Sequence, residues 1–147
     1  MSRSFDVNIL LYASDTTSEH HQAASEFVRT IAEDGEAAYL AWVTVMSYLR
    51  IATHPRIFES PLSPKEAQTN IDALISVPNV HCISELDGFW KTYLEIAGEV
   101  PVRANLVPDA HLATILKQHG IRTLYTHDRD FRRFPFLRVV DPFKLIG

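Results

Sequence analysis

Apolar positions along this chain follow two rhythms in turn: short, nearly continuous runs, and longer stretches in which they recur at helical spacing. Arg3, Ser4 and Phe5 read as a first strand, with Asp6 at its end. Asn8 then stands where it can cap a short helix running through Ile9, Leu10, Leu11, Tyr12 and Ala13. Between Ser18 and Glu33, Ala23, Phe27 and Ile31 are four apart, with Ala24 and Val28 beside them, which predicts a helix. The run AYLAWV, ending at Val43, predicts a strand, and a helix from Thr44 to Thr53 must stop before Pro55. Ser63, Pro64, Lys65 and Glu66 form a capping-box sequence with proline at the first helical position. The helix they open carries Ala67, Ile71, Leu74 and Ile75 on one face. VHCI predicts a strand, and residues from Leu86 to Ala97 an amphipathic helix. A further helix is expected from Pro108 to His119, closed by Gly120. TLYT and RVV complete the set as strands.

Short apolar strands alternating with amphipathic helices predict an α/β fold with a parallel, helix-covered sheet. Sites in such sheets form outside the carboxyl ends of the strands. Asp6 ends the first strand and Asp128 closely follows TLYT, so both are expected on one edge.

Length and composition narrow this picture. The 147 residues, 46% of them apolar, fit one domain spanning 1–147 with a real core. No apolar run is long enough to span a bilayer, and Asp6 and Asn8 interrupt the N-terminal apolar stretch, unlike a signal peptide. Cys82 is the only cysteine, which excludes an internal disulfide and a thiolate zinc cluster and fits a reducing cytoplasm. The net charge of −4 excludes a binder that holds nucleic acid by bulk charge. Any RNA it handles needs a local source of positive charge.

Asp6, Asp109, Asp128 and Asp130 stand out by position: strand end, helix start, and the turn after a strand. If such carboxylates converge they repel one another unless a divalent cation sits between them. Hard oxygen ligands suit magnesium or manganese, which activate water and stabilise charge on a phosphate oxygen, so the pattern points to phosphodiester hydrolysis. Plainer readings stand beside this one. Asp109 in a first helical turn complements the helix dipole, and Asp128 and Asp130 suit an ordinary turn. Asp6, between a strand and an apolar helix, is harder to dismiss, because a buried unpaired charge is costly. Arg129, Arg132 and Arg133 beside the acidic turn, and Arg50 further away, are candidates for RNA phosphate contact, or else solvated surface charge paired to Asp128 or Asp130. The seven histidines have no zinc-site spacing. Trp42, Phe89, Trp90 and Tyr93 are expected to pack in a core or interface before stacking bases.

Four segments carry a resemblance. FDVNILLYA resembles the D-x-N-hydrophobic opening of PIN-domain proteins, and WVTVMSYLRIATHPRIF their second segment. LVPDAHLATILKQHG resembles the third, and TLYTHDRDFRRFP the fourth. Taken in order they cover the chain nearly end to end, and the VapC-like toxins of bacterial VapBC toxin–antitoxin modules are the closest group. The resemblance implies a PIN-like three-layer α/β fold and an endoribonuclease using Mg²⁺ or Mn²⁺. It also implies inhibition by a cognate VapB-like antitoxin, and a homodimer. Carried over by position, Asp6, Asp109 and Asp128 match metal-binding and catalytic acids, with Asp130 the neighbouring candidate. Thr126 matches a threonine supporting the site, and Asn8 the asparagine that fixes the first aspartate. Ser47 departs from the pattern: many PIN proteins have glutamate three residues before the arginine corresponding to Arg50. That departure supports an alternative, a catalytically weak PIN module acting by RNA or partner binding. A flavodoxin-like or phosphatase-like domain is disfavoured by only five glycines and no glycine-rich phosphate loop.

Overall fold

Five short parallel strands form the centre of the molecule: β1 (Arg3–Phe5), β2 (Ala38–Ala41), β3 (Val80–Ile83), β4 (Thr123–Tyr125) and β5 (Arg138–Val140), in the order β3-β2-β1-β4-β5. The computed structural model describes residues 2–146. Among these residues seven helices connect and cover the strands: α1 (Val7–Ser14), α2 (His21–Glu33), α3 (Trp42–Ala52), α4 (Pro64–Ile75), α5 (Phe89–Glu99), α6 (Leu106–Gln118) and α7 (Pro142–Ile146). A 3-10 turn spans Arg129–Arg133. The expected parallel α/β architecture is present.

Parallel strands must be buried on both faces, and two apolar clusters meet that need. One joins Phe5, Phe27, Ile31, Tyr48 and Ile71 from β1, α2, α3 and α4. The other joins Ile96, Leu112, Leu116, Leu124 and Phe131 from α5, α6, β4 and the 3-10 turn. At the amino end of the sheet the buried Arg3 guanidinium forms two 2.6 Å bonds to Asp34.

The register places the site. Phe5 pairs with Tyr125, and Tyr125 with Val140. The residues that follow, Asp6, Thr126 and Asp141, therefore leave three adjacent strands side by side at the carboxyl edge. Backbone bonds continue the alignment, from Asp6 N–H to the Tyr125 carbonyl and from Thr126 N–H to the Val140 carbonyl, both 3.0 Å.

Several boundaries differ from the sequence expectation, three helix starts among them. β2 stops at Ala41, where its pairing with β3 ends at Ile83, so Trp42 and Val43 open α3. No side chain caps that helix, so nothing in the local sequence marks its start. α5 begins at Phe89, after Gly88 at φ 81°, which leaves Leu86 in the preceding loop. α6 begins at Leu106, and Pro108 is accommodated because amide hydrogens in a first turn have no helical acceptor. The capping box at Ser63 forms as expected, with Ser63 and Glu66 bonding reciprocally at 3.0 and 3.1 Å.

Candidate active site

The side chains at the carboxyl edge are organised around one hydroxyl. Thr126 is buried at the end of β4, and its Oγ1 donates to Asp6 Oδ2 at 3.0 Å. The same oxygen accepts from the Asp128 N–H at 3.0 Å and from Asn8 Nδ2 at 3.4 Å. A hydroxyl has one hydrogen and two lone pairs, so this group is fully used. Asp6 Oδ1 accepts from the Val7 N–H at 2.7 Å, which makes Asp6 itself the cap of α1. The expectation that Asn8 caps this helix is therefore corrected: Asn8 lies inside the first turn, past the capping position. It reaches Asp6 only through Thr126, and its own Oδ1 is buried without a partner among the described residues.

Asp109 enters from the first turn of α6, and Asp128 and Asp130 from the turn after β4. One carboxylate oxygen from each of these three lies within 4.8 Å of the others. Asp6 stands outside that set, deeper in the fold at 8% exposure. It lines a cleft with Asp109, Thr44 and Ser47, so the serine at the departing position opens onto the same cleft as the acids.

Burial and mutual repulsion raise the affinity of these acids for protons. Asp6 is pushed up to about 6, first by burial and then by the charge of Asp128, against the lowering effect of its Val7 and Thr126 bonds. Asp109 is pushed up to about 7, first by burial and then by Asp128, Asp6 and Asp130. Among the described residues no basic side chain forms an ion pair with any of the four. This donor set of hard oxygens with excess negative charge fits a divalent cation.

Arg129, Arg132 and Arg133 are exposed on the 3-10 turn and make no ion pair among the described residues, so pairing to Asp128 or Asp130 does not occur. Arg129 and Arg132 border a shallow depression with His127, Asp128 and Asp141. Arg50 is exposed in the last turn of α3. Phe89 and Tyr93 pack against the core, whereas Trp42 and Trp90 are exposed, Trp90 stacking on Tyr93.

One participant escaped the sequence reading. Asp141 follows β5 as Asp6 follows β1, and its Oδ2 lies 2.9 Å from His127 Nδ1. The strand-end rule that marks Asp6 also marks Asp141, but RVV is a weak strand signal and carries little weight alone.

This arrangement matches a known family. The sequence model of the PIN domain matches residues 5–137. The chain belongs to the PIN-domain family. Ribonuclease VapC48 of Mycobacterium tuberculosis is 42% identical to this PIN domain over 143 residues, covering 97% of this chain and 99% of the relative. Ribonuclease VapC37 of the same species is 31% identical, covering 93% and 94%. In solved structures the fold recurs in VapBC2 of Rickettsia felis bound to a promoter DNA fragment, with TM-score 0.68, 17% identity and coverage of 95% and 98%. It recurs again in VapBC-1 of nontypeable Haemophilus influenzae, with TM-score 0.67, 18% identity and coverage of 97% and 98%. No described helix is long and apolar enough to cross a membrane.

Proposed function

We propose that this PIN-domain protein is the toxin of a type II toxin–antitoxin system and a divalent-metal-dependent endoribonuclease. The observation that carries the reading is the set of four carboxylates at one sheet edge with no basic partner among the described residues. We assign Asp6, Asp109 and Asp128, with Asp130 beside them, as the residues that would hold Mg²⁺ or Mn²⁺. Such an ion, when bound, supplies an activated water and a Lewis acid for the phosphodiester. The protein's own contribution is placement. Thr126 holds Asp6 and the start of the acidic turn in one geometry, and Asn8 holds Thr126. Arg129, Arg132 and Arg133, with Arg50, supply the local positive charge that RNA phosphates need and the net balance lacks.

The partners follow from the same reading. Relatives are named VapC ribonucleases, and the structural neighbours include VapBC complexes, which supports RNA as substrate and a VapB-like antitoxin as inhibitor. An antitoxin arginine entering the acidic cleft would neutralise it and exclude substrate at once. Exposed Trp42, Met46, Trp90, Leu94 and Val107 on α3, α5 and α6 support a homodimer. A cytoplasmic site of action fits an RNA substrate and a single free cysteine.

The test is RNA cleavage by wild type and Asp6→Ala in Mg²⁺, Mn²⁺ or EDTA. Cleavage that persists in EDTA, or that Asp6→Ala leaves intact, overturns the assignment. Ser47 gives a second reading its footing, because a hydroxyl in the cleft adds no charge. RNA binding without metal-dependent cleavage would favour that reading, a binding module.

A further inference from the structure

His127 and Asp141 are joined by a contact that neither the motifs nor the acidic site requires. Asp141 uses both carboxylate oxygens. Oδ1 accepts from the Phe143 N–H at 3.0 Å in the first turn of α7, and Oδ2 lies 2.9 Å from His127 Nδ1. A carboxylate can only accept, so Nδ1 carries the hydrogen. The imidazole, its side chain 36% exposed, also has rings against it: His20 at 4.7 Å, Phe143 at 4.9 Å and Tyr12 at 6.2 Å between centroids. His20 and Phe143 stack on each other at 4.8 Å and 9°. His127 is thus fixed in orientation by packing and in tautomer by Asp141, and it is the residue between Thr126 and Asp128.

The acidic turn therefore has two anchors. Thr126 ties its first residue to Asp6, from inside. His127 ties its second residue to Asp141 just past β5, to Tyr12 of α1, to His20 just ahead of α2 and to Phe143 of α7, from outside. The hydroxyl holds the Asp128 N–H from inside, and the His127 contact on the intervening residue adds a hold from outside, so that the two together fix the direction in which Asp128 leaves the backbone. From this geometry we propose that Asp141 and His127 are positioning residues for the nuclease site, a pair whose Nδ1–H···Oδ2 bond sets the placement of Asp128. The proposal rests on the reading of Asp128 as a site carboxylate. Neither residue touches the substrate in this account; both act through the turn.

Two near-isosteric replacements test it. In His127→Asn the side-chain amide nitrogen takes the place of Nδ1 and can still donate to Asp141. In His127→Gln the amide sits where Nε2 was and that bond is lost. Each full-length variant is assayed for RNA cleavage, for Mn²⁺ binding by calorimetry and for thermal unfolding in EDTA. His127→Gln and Asp141→Ala are expected to lower kcat and Mn²⁺ affinity by about 10- to 100-fold, with KM little changed. His127→Asn is expected to recover most of both, although it removes the ring packing as fully as His127→Gln does. Nitrogen-15 spectra of wild type should show the Nδ1–H tautomer, and those of Asp141→Ala should not. Equal behaviour of the asparagine and glutamine variants, whether both active or both inactive, overturns the proposal. Asp128→Asn is run alongside. Full activity there removes the reading of Asp128 and the proposal with it, while loss there with both His127 variants active removes the proposal alone.

Discussion

Thr126 Oγ1 donates to Asp6 Oδ2 at 3.0 Å, joining two residues 120 positions apart through a single hydrogen. Every other bond of that hydroxyl leads to a neighbour of the site, so its removal should be felt at once in fold and function. Thr126→Val keeps the shape and deletes the bonds. It should lower stability by on the order of 2–3 kcal/mol, because the Asp128 N–H and Asp6 Oδ2 lose a buried partner. Thr126→Ser should keep most stability and activity. Denaturant unfolding and cleavage rates check both, and a valine variant as active as wild type would show the hub to be dispensable.

Asp6→Asn and Asp109→Asn should each remove metal-dependent cleavage while the chain stays folded. Both replacements keep the volume and remove the charge that would balance a cation. The loss should exceed about 100-fold, since even the groups that merely orient metal ligands are worth up to that. Circular dichroism alongside cleavage kinetics separates loss of chemistry from loss of fold.

The metal-free protein should become less stable as pH rises. Asp6 and Asp109 are held above their ordinary 3.8, at about 6 and about 7. Groups raised in the folded state contribute stability below their unfolded pKa and lose it as pH climbs through the folded value. Thermal unfolding in EDTA should therefore fall between about pH 4 and pH 8, Asp6 alone accounting for on the order of 2–3 kcal/mol. Mn²⁺ should restore stability at the upper end, and Asp6→Asn should flatten the profile. A metal-free melting temperature that is constant across this range in wild type would contradict the burial argument.

Ser47→Glu should tighten Mn²⁺ binding, because Ser47 lines the cleft shared by Asp6 and Asp109. It should also raise the proton affinity of those acids further, so the gain is expected above pH 7 or so, where they are ionised. Calorimetric titration reads it directly. Unchanged affinity would mean that a side chain at this position turns away from the acids.

The regular elements were legible because each buries its apolar face in its own period. Phe27 and Ile31, or Ile71 and Leu74, announce their helices, and the capping box at Ser63 announces its own start. Boundaries without chemistry were not: Ala41 caps nothing, so the turn from β2 into α3 has no local sign. Within the site, Asp6 and Asp128 could be placed on one edge because each follows a strand of an expected parallel sheet. The bond between His127 and Asp141 could not, because it depends on β4 and β5 being neighbours in step, a fact of register rather than of motif. Asp130 shows the same gap in another way. Its backbone N–H binds Asp128 Oδ1 at 2.9 Å, and that turn brings its own carboxylate among the other acids.

The strand order also carries a timetable. β1 precedes the other described strands along the chain and is the middle strand of the sheet, and one of its two neighbours, β4, begins only at Thr123. A nascent chain can pack α1 to α4 on one side of β1 while its other edge waits open. The acids can meet only once residues 123–130 have docked beside β1. Strand order thus makes the cluster wait for the segment that carries Asp128 and Asp130, and a shorter N-terminal piece of the chain cannot assemble it.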